Sequence, residues 1–235
     1  MPANLSENDI AFERNLIIMM FNLALISGYS ISLAAVIGLV RYRQIHRSYH
    51  PFIFICLFGL VNEIVSNVCA YLFRNNSINY NLYSIAEALL YLWLFKSWGR
   101  FNHRRYSYGF TLSLLLIAWI YDNLVLNTVF TDNSLFWVIY SFCLVFLAID
   151  EINLVVMSGR VPLLRDSRFL ICAGLVIFYS YTAMIYILLF LKLNFSERFY
   201  SNIYLFLQAI NFLVNLVFAL ALLWAPKKIR FLLPF

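Results

Sequence analysis

The sequence predicts an all-α integral membrane protein: a bundle of seven transmembrane helices with its N-terminus outside and its C-terminus in the cytoplasm. Three observations lead there. The 235 residues are 63% hydrophobic and 19% aromatic but only 12% charged, about half the charged fraction of a soluble chain. Runs of about 20 apolar residues, each long enough to cross roughly 30 Å of hydrocarbon, recur along the chain. The basic residues collect on alternate connections between those runs.

The elements follow in order. Residues 1–14, a short extracytoplasmic tail, are acidic rather than basic. The apolar stretch behind them is longer than a signal-peptide core and lacks a cleavage site, so it reads as a retained first span. The bundle then fills 15–225, with spans near 15–40, 51–73, 78–98, 107–127, 134–157, 168–191 and 199–225. The third span is the most polar. Short polar connections join them, among them RYRQIHRSYH, GRFNHRR and SGRVPLLRDS, and a short basic tail (226–235) ends the chain. There is no room for a second folded domain.

Of the 17 Lys and Arg residues, only Arg14, Arg74, Lys192 and Arg198 fall on the N-terminal side. The rest lie on the first, third and fifth connections and the tail, which fixes the orientation by the positive-inside rule. The net charge of +6 is therefore read as topology and contact with anionic lipid head groups. The lipid bilayer is the expected partner, nucleic acid is not, and the expected location is the cell membrane, crossed several times. The four cysteines sit singly inside apolar runs, as packed thiols do. His46, His50 and His103 lie in the basic connections with no second ligand at useful spacing. No metal site and no cofactor are expected.

Five carboxylates fall within spans: Glu63, Glu87, Asp122, Asp150 and Glu151. A carboxylate at mid-membrane costs roughly 2.5–3.5 kcal/mol on insertion scales, so each needs a reason to be there. At 1.5 Å per residue, Glu63 lies about 18 Å above the inner boundary and Glu87 about 12 Å below the outer one, the same level in a 30 Å core. Gln208 comes to a similar depth, and Asp122 sits nearer the outer surface. Helical spacing gives Glu63 and Asn67 one face of the second span. It aligns Tyr80, Tyr83, Glu87 and Tyr91 along the third, and Tyr204, Gln208, Asn211 and Asn215 along the seventh. Tyr179, Thr182 and Tyr186 make a weaker row on the sixth.

Polar stripes on membrane helices face one another, because lipid leaves them unsatisfied. The expectation is an outer-half polar chamber lined by the second, third, fourth, sixth and seventh spans. Its candidate ligand- or proton-binding residues are Glu63, Asn67, Tyr83, Glu87, Asp122, Gln208 and Asn211. The plainer alternative is helix glue, each contact worth roughly 0.6 kcal/mol. Glue accounts well for Asn211 and Asn215 and poorly for two carboxyls at one depth. Asp150 and Glu151, near the cytoplasmic end of the fifth span, are expected to pair with basic loop residues such as Arg160 or Arg105. Small-residue rows on the first span, Ala24-Gly28-Ser32 and Ser30-Ala34-Gly38, read as close helix packing.

Several chemistries are not supported. The last span has no lysine for a retinal Schiff base. The spans hold no histidines for a hydrolytic zinc site, and no Pro-Gln repeat of the small sugar transporters occurs. The stretches HPFIFICLFGLVNE (50–63) and NNSINYNLYSIAEALLYLWLFKSWG (75–99) resemble short seven-span bacterial proteins of unassigned function. More loosely, they are similar to seven-helix sensory modules that precede signalling kinases. The resemblance covers the second and third spans and implies a receptor-like or sensory role through a separate cytoplasmic partner. Two other roles stay open: a proton-coupled small-solute transporter using Glu63 and Glu87, and an intramembrane acid-base enzyme using the same pair.

Overall fold

The computed structural model describes residues 22–102, 105–128, 130–131, 134–159, 162–193 and 195–228. The described chain is helical, and its helices are α1 (Asn22–Arg41), α2 (His50–Phe73), α3 (Ser77–Ser97), α4 (Arg105–Tyr121), α5 (Ser134–Ser158), α6 (Ser167–Phe190) and α7 (Glu197–Trp224). Helix α4 widens into a π-helical turn over Asp122–Leu126; counting that turn with α4, helices with both ends described start and stop within two residues of the expected spans. Helix α1 continues through Ser30, whose backbone is helical (φ −60°, ψ −25°) and whose N–H donates to Ile26 O at 3.0 Å.

Six of these helices are long and apolar enough to cross a membrane, the mark of a multi-pass membrane protein. Only α3 falls short, and its packing explains why. Each helix packs on its chain neighbours and α7 returns to α1, closing a ring, while α3 also reaches across to α5. Asn81, Ser84, Glu87 and Tyr91 of α3 are all buried in the protein, and these polar residues on its inner face lower its mean hydropathy, while Ile78, Leu82, Leu89 and Trp93 form an exposed apolar face. Outward faces are apolar instead: Val40, Phe110, Leu124 and Phe146 are each at least 65% exposed.

Local chemistry sets the helix ends. Asp166 accepts from the backbone N–H groups of Arg168 and Phe169 at the start of α6, and Ser196 accepts from that of Phe199 at the start of α7, the usual relief for orphaned first-turn donors. Pro51 stands in the first turn of α2, where its missing N–H costs nothing.

One end of the ring gathers the first, third and fifth connections and the C-terminal segment. The Ile45–Lys227 bridge, with His46 N–H donating to Pro226 O at 2.9 Å and Lys228 N–H to Gln44 O at 2.8 Å, ties the first connection to the last described residues. Arg41 donates to the carbonyls of Leu222 and Leu223 at the end of α7, where a cation meets the negative pole of the helix. Here too Arg100 pairs with Asp150 and Arg168 with Glu151. These partners differ from the expected ones: Arg160 and the side chain of Arg105 lie outside the described residues, as does His103.

Packing is uneven along the ring. Near this basic end the interior is filled by Phe52, Ile53, Cys56, Leu92, Ile171 and Leu222, all fully buried. The small-residue row works as expected there: Gly38 lies against Ile53 and Leu222. Beyond Cys56, α2 has no fully buried residue. Space opens in that half.

Candidate functional site: a polar chamber inside the helix ring

That space is a cavity of about 330 Å³, at the lower end of the range for small-molecule sites. Its walls come from α1, α2, α3, α5, α6 and α7. Glu63, Asn67, Tyr83, Glu87, Gln208 and Asn211 all lie on them, so the depth and spacing argument brings six of its seven candidates together.

The two carboxyls are held in different ways. Glu87, 8% exposed, is saturated with donors. Tyr83 Oη donates to its Oε1 at 2.8 Å from one turn away on the same helix, and Tyr140 Oη donates to Oε2 at 3.1 Å from α5. Tyr179 on α6 meets Tyr140 hydroxyl to hydroxyl at 3.0 Å. Three helices thus converge on one acceptor, and no basic side chain is involved. Glu63 is only half-buried. Its carboxyl has no hydrogen-bond partner among the described residues and lies against the backbone of Gly28 on α1, in the space a Cβ would fill.

The α2 stripe divides between two neighbours. Asn62 accepts from Asn79 of α3 at 2.9 Å, and Ser66 accepts from Asn76. Asn67 turns the other way, donating to Tyr29 of α1 at 3.1 Å and to the Glu63 carbonyl at 2.9 Å.

On α7 the row acts as a seam. Asn211 donates to Ser27 Oγ at 3.1 Å, Asn215 donates to Ser30 Oγ at 2.8 Å, and Ser27 Oγ donates to the Gln208 carbonyl at 2.8 Å. These bonds fasten α7 to α1. The side-chain amide of Gln208 makes no bond among the described residues. Tyr204, 40% exposed, is not on the cavity wall.

Asp122 departs from the expected arrangement. It is fully buried, but α4 contributes nothing to the chamber. Its carboxylate accepts from the Phe136 N–H at 2.7 Å and from Asn127 Nδ2 at 2.8 Å, capping the first turn of α5 from a neighbouring helix. Nearby, Trp119 donates to the Asn81 carbonyl at 2.9 Å and Asn81 to the Thr131 carbonyl at 2.8 Å, joining α3, α4 and the fourth connection. The fourth wall is instead Trp137 of α5, stacked between Tyr80 at 4.9 Å and Tyr186 at 5.2 Å.

Sequence reasoning missed Trp137, Tyr140 and the Gly28 face of α1. Trp137, Tyr140, Ser141 and Leu144 do follow a helical stripe that could have pointed inward. Gly28 stands in the small-residue row Ala24-Gly28-Ser32, which signals close approach but not that a carboxyl is what approaches. Compared with known protein families, curated proteins and solved structures, the chain matches none.

Proposed function

We propose that this chain is a seven-span protein of the cell membrane, N-terminus outside, whose chamber binds a small molecule or a proton and relays occupancy to a separate cytoplasmic partner. The observation that carries the reading is Glu63: a carboxyl on the wall of an internal cavity, without a hydrogen-bond partner among the described residues. Structural glue would pair such a group, as it pairs Asn211 and Asn215. The excess of Lys and Arg on the first, third and fifth connections supports the orientation, and the exposed apolar face of α3, with Leu82 and Trp93 on it, supports counting it as the seventh span. The basic end carries the surface for the partner.

A transporter is the second reading, favoured by the position of both carboxyls, Glu63 and Glu87, on one chamber wall where a proton-coupled solute would meet them. Two experiments test these readings. A fluorescent-protein fusion at the C-terminus should be bright and an alkaline phosphatase fusion silent; the reverse would invert the topology. Purified protein in proteoliposomes should bind a chamber ligand without carrying it across, and saturable flux of that ligand would favour transport.

A further inference from the structure

The chamber's lining is one-sided in charge. Among the described residues it presents two carboxyl groups, Glu63 and Glu87, and no Lys, Arg or His. Arg41, Arg100 and Arg168 are engaged at the basic end of the ring. Around the carboxyls stand aromatic side chains, Tyr80, Tyr83, Tyr91, Phe178 and Tyr179. An anion entering here would meet like charge in a poorly hydrated space. A neutral solute can donate a hydrogen bond to Glu63 but supplies no charge to balance a carboxylate. A divalent metal needs several hard oxygen ligands at once, and among the described residues no three of His, Cys, Asp and Glu converge.

What fits is a weakly hydrated cation with apolar substituents. Aromatic rings attract ammonium groups, and a carboxylate adds a charge-assisted contact. We infer that the chamber takes a small alkylammonium ion, its charged head against Glu63 and its alkyl groups against the aromatic wall. This rests on the chamber being a ligand site and adds the class of ligand. Glu87, held by Tyr83 and Tyr140, contributes negative potential from behind those rings and makes no direct contact. The volume of about 330 Å³ limits the ligand to a small molecule.

The test uses three probes of one shape and different charge: tetramethylammonium, tert-butanol and pivalate, with methylammonium and n-butylammonium beside them. Binding to the purified full-length protein is measured by calorimetry at constant ionic strength. At least one ammonium probe should bind at least about tenfold more tightly than tert-butanol or pivalate, tenfold being about 1.4 kcal/mol. Glu63→Gln, which breaks no bond among the described residues, should remove that preference. Gly59→Val, which places methyl groups in the chamber near Tyr83 and Ile31, should weaken all binding while the protein still elutes as a folded monodisperse species.

Binding of tert-butanol or pivalate as tight as that of the ammonium probes overturns the cation class and leaves the chamber as a ligand site. If no probe binds wild type, both the cation class and the small-molecule chamber fall. Ammonium binding unchanged in both variants places the site elsewhere and overturns the inference.

Discussion

The carboxyl of Glu63 rests directly on the backbone of Gly28, with no space between the two for a methyl group. A glycine on the first helix therefore sets where a charged group on the second can point. Gly28→Ala should push the carboxyl off the α1 wall. The atoms in the way are the far end of a flexible side chain without a hydrogen-bond partner among the described residues, so the carboxyl should swing aside at a cost of no more than about 1 kcal/mol, read as a thermal midpoint in detergent close to wild type. Glu63→Gln should leave the midpoint within the scatter of surface substitutions, about 0.5 kcal/mol.

Glu87 should behave in the opposite way. Tyr140→Phe removes the donor to Oε2 and the partner of Tyr179 together. Stability should fall by about 1–3 kcal/mol, the cost of stranding buried polar groups. A double-mutant cycle of Tyr140→Phe with Glu87→Gln should give a coupling energy clearly different from zero; additivity would mean that the hydroxyl and the carboxyl do not act as a pair.

Asp122→Ala separates framework from chamber. It removes the acceptor for the Phe136 N–H and for Asn127 and should destabilise the protein by about 1–2 kcal/mol, as loss of a helix cap does. Because α4 is not on the chamber wall, affinity for a chamber ligand should not change in the folded fraction. A large affinity loss at full folding would contradict that arrangement.

At the basic end the two ion pairs should differ. Glu151 is 2% exposed, so Arg168→Ala leaves a buried carboxylate without its partner, a change that costs about 3 kcal/mol. Asp150 is 54% exposed, and Arg100→Ala should cost less than about 1 kcal/mol. Denaturation of the two variants in the same detergent checks the contrast, and Arg168→Ala with Glu151→Gln should recover part of the loss.

These contrasts mark what the amino-acid order discloses. Hydropathy locates six helices because lipid demands an apolar exterior. It underrates α3, whose inner face is polar and buried while Leu82 and Trp93 are exposed, and there the stripe of Tyr80, Tyr83, Glu87 and Tyr91 is the better guide. Depth is legible from helical rise, which is why Glu63, Glu87 and Gln208 were brought to one level. Rotation about the helix axis is less so. The π turn at Asp122–Leu126 adds backbone to each turn and aims Asp122 at α5, a change that a regular 3.6-residue count does not contain. At the basic end, Asp150 and Glu151 do meet basic residues, Arg100 and Arg168, but which ones is not legible from the order of the chain, since several basic residues lie within reach.

The seam between the first and last helices is stitched along its length: Ser27 and Ser30 to Gln208, Asn211 and Asn215 beside the chamber, Arg41 to the final carbonyls of α7, and the Ile45–Lys227 bridge below. Sliding one helix past the other would break the bonds of this seam together and strand the donors beside the chamber. The pair is therefore expected to move as one unit, with Gly28 against a chamber carboxyl at one end and the chain's last described residues at the other.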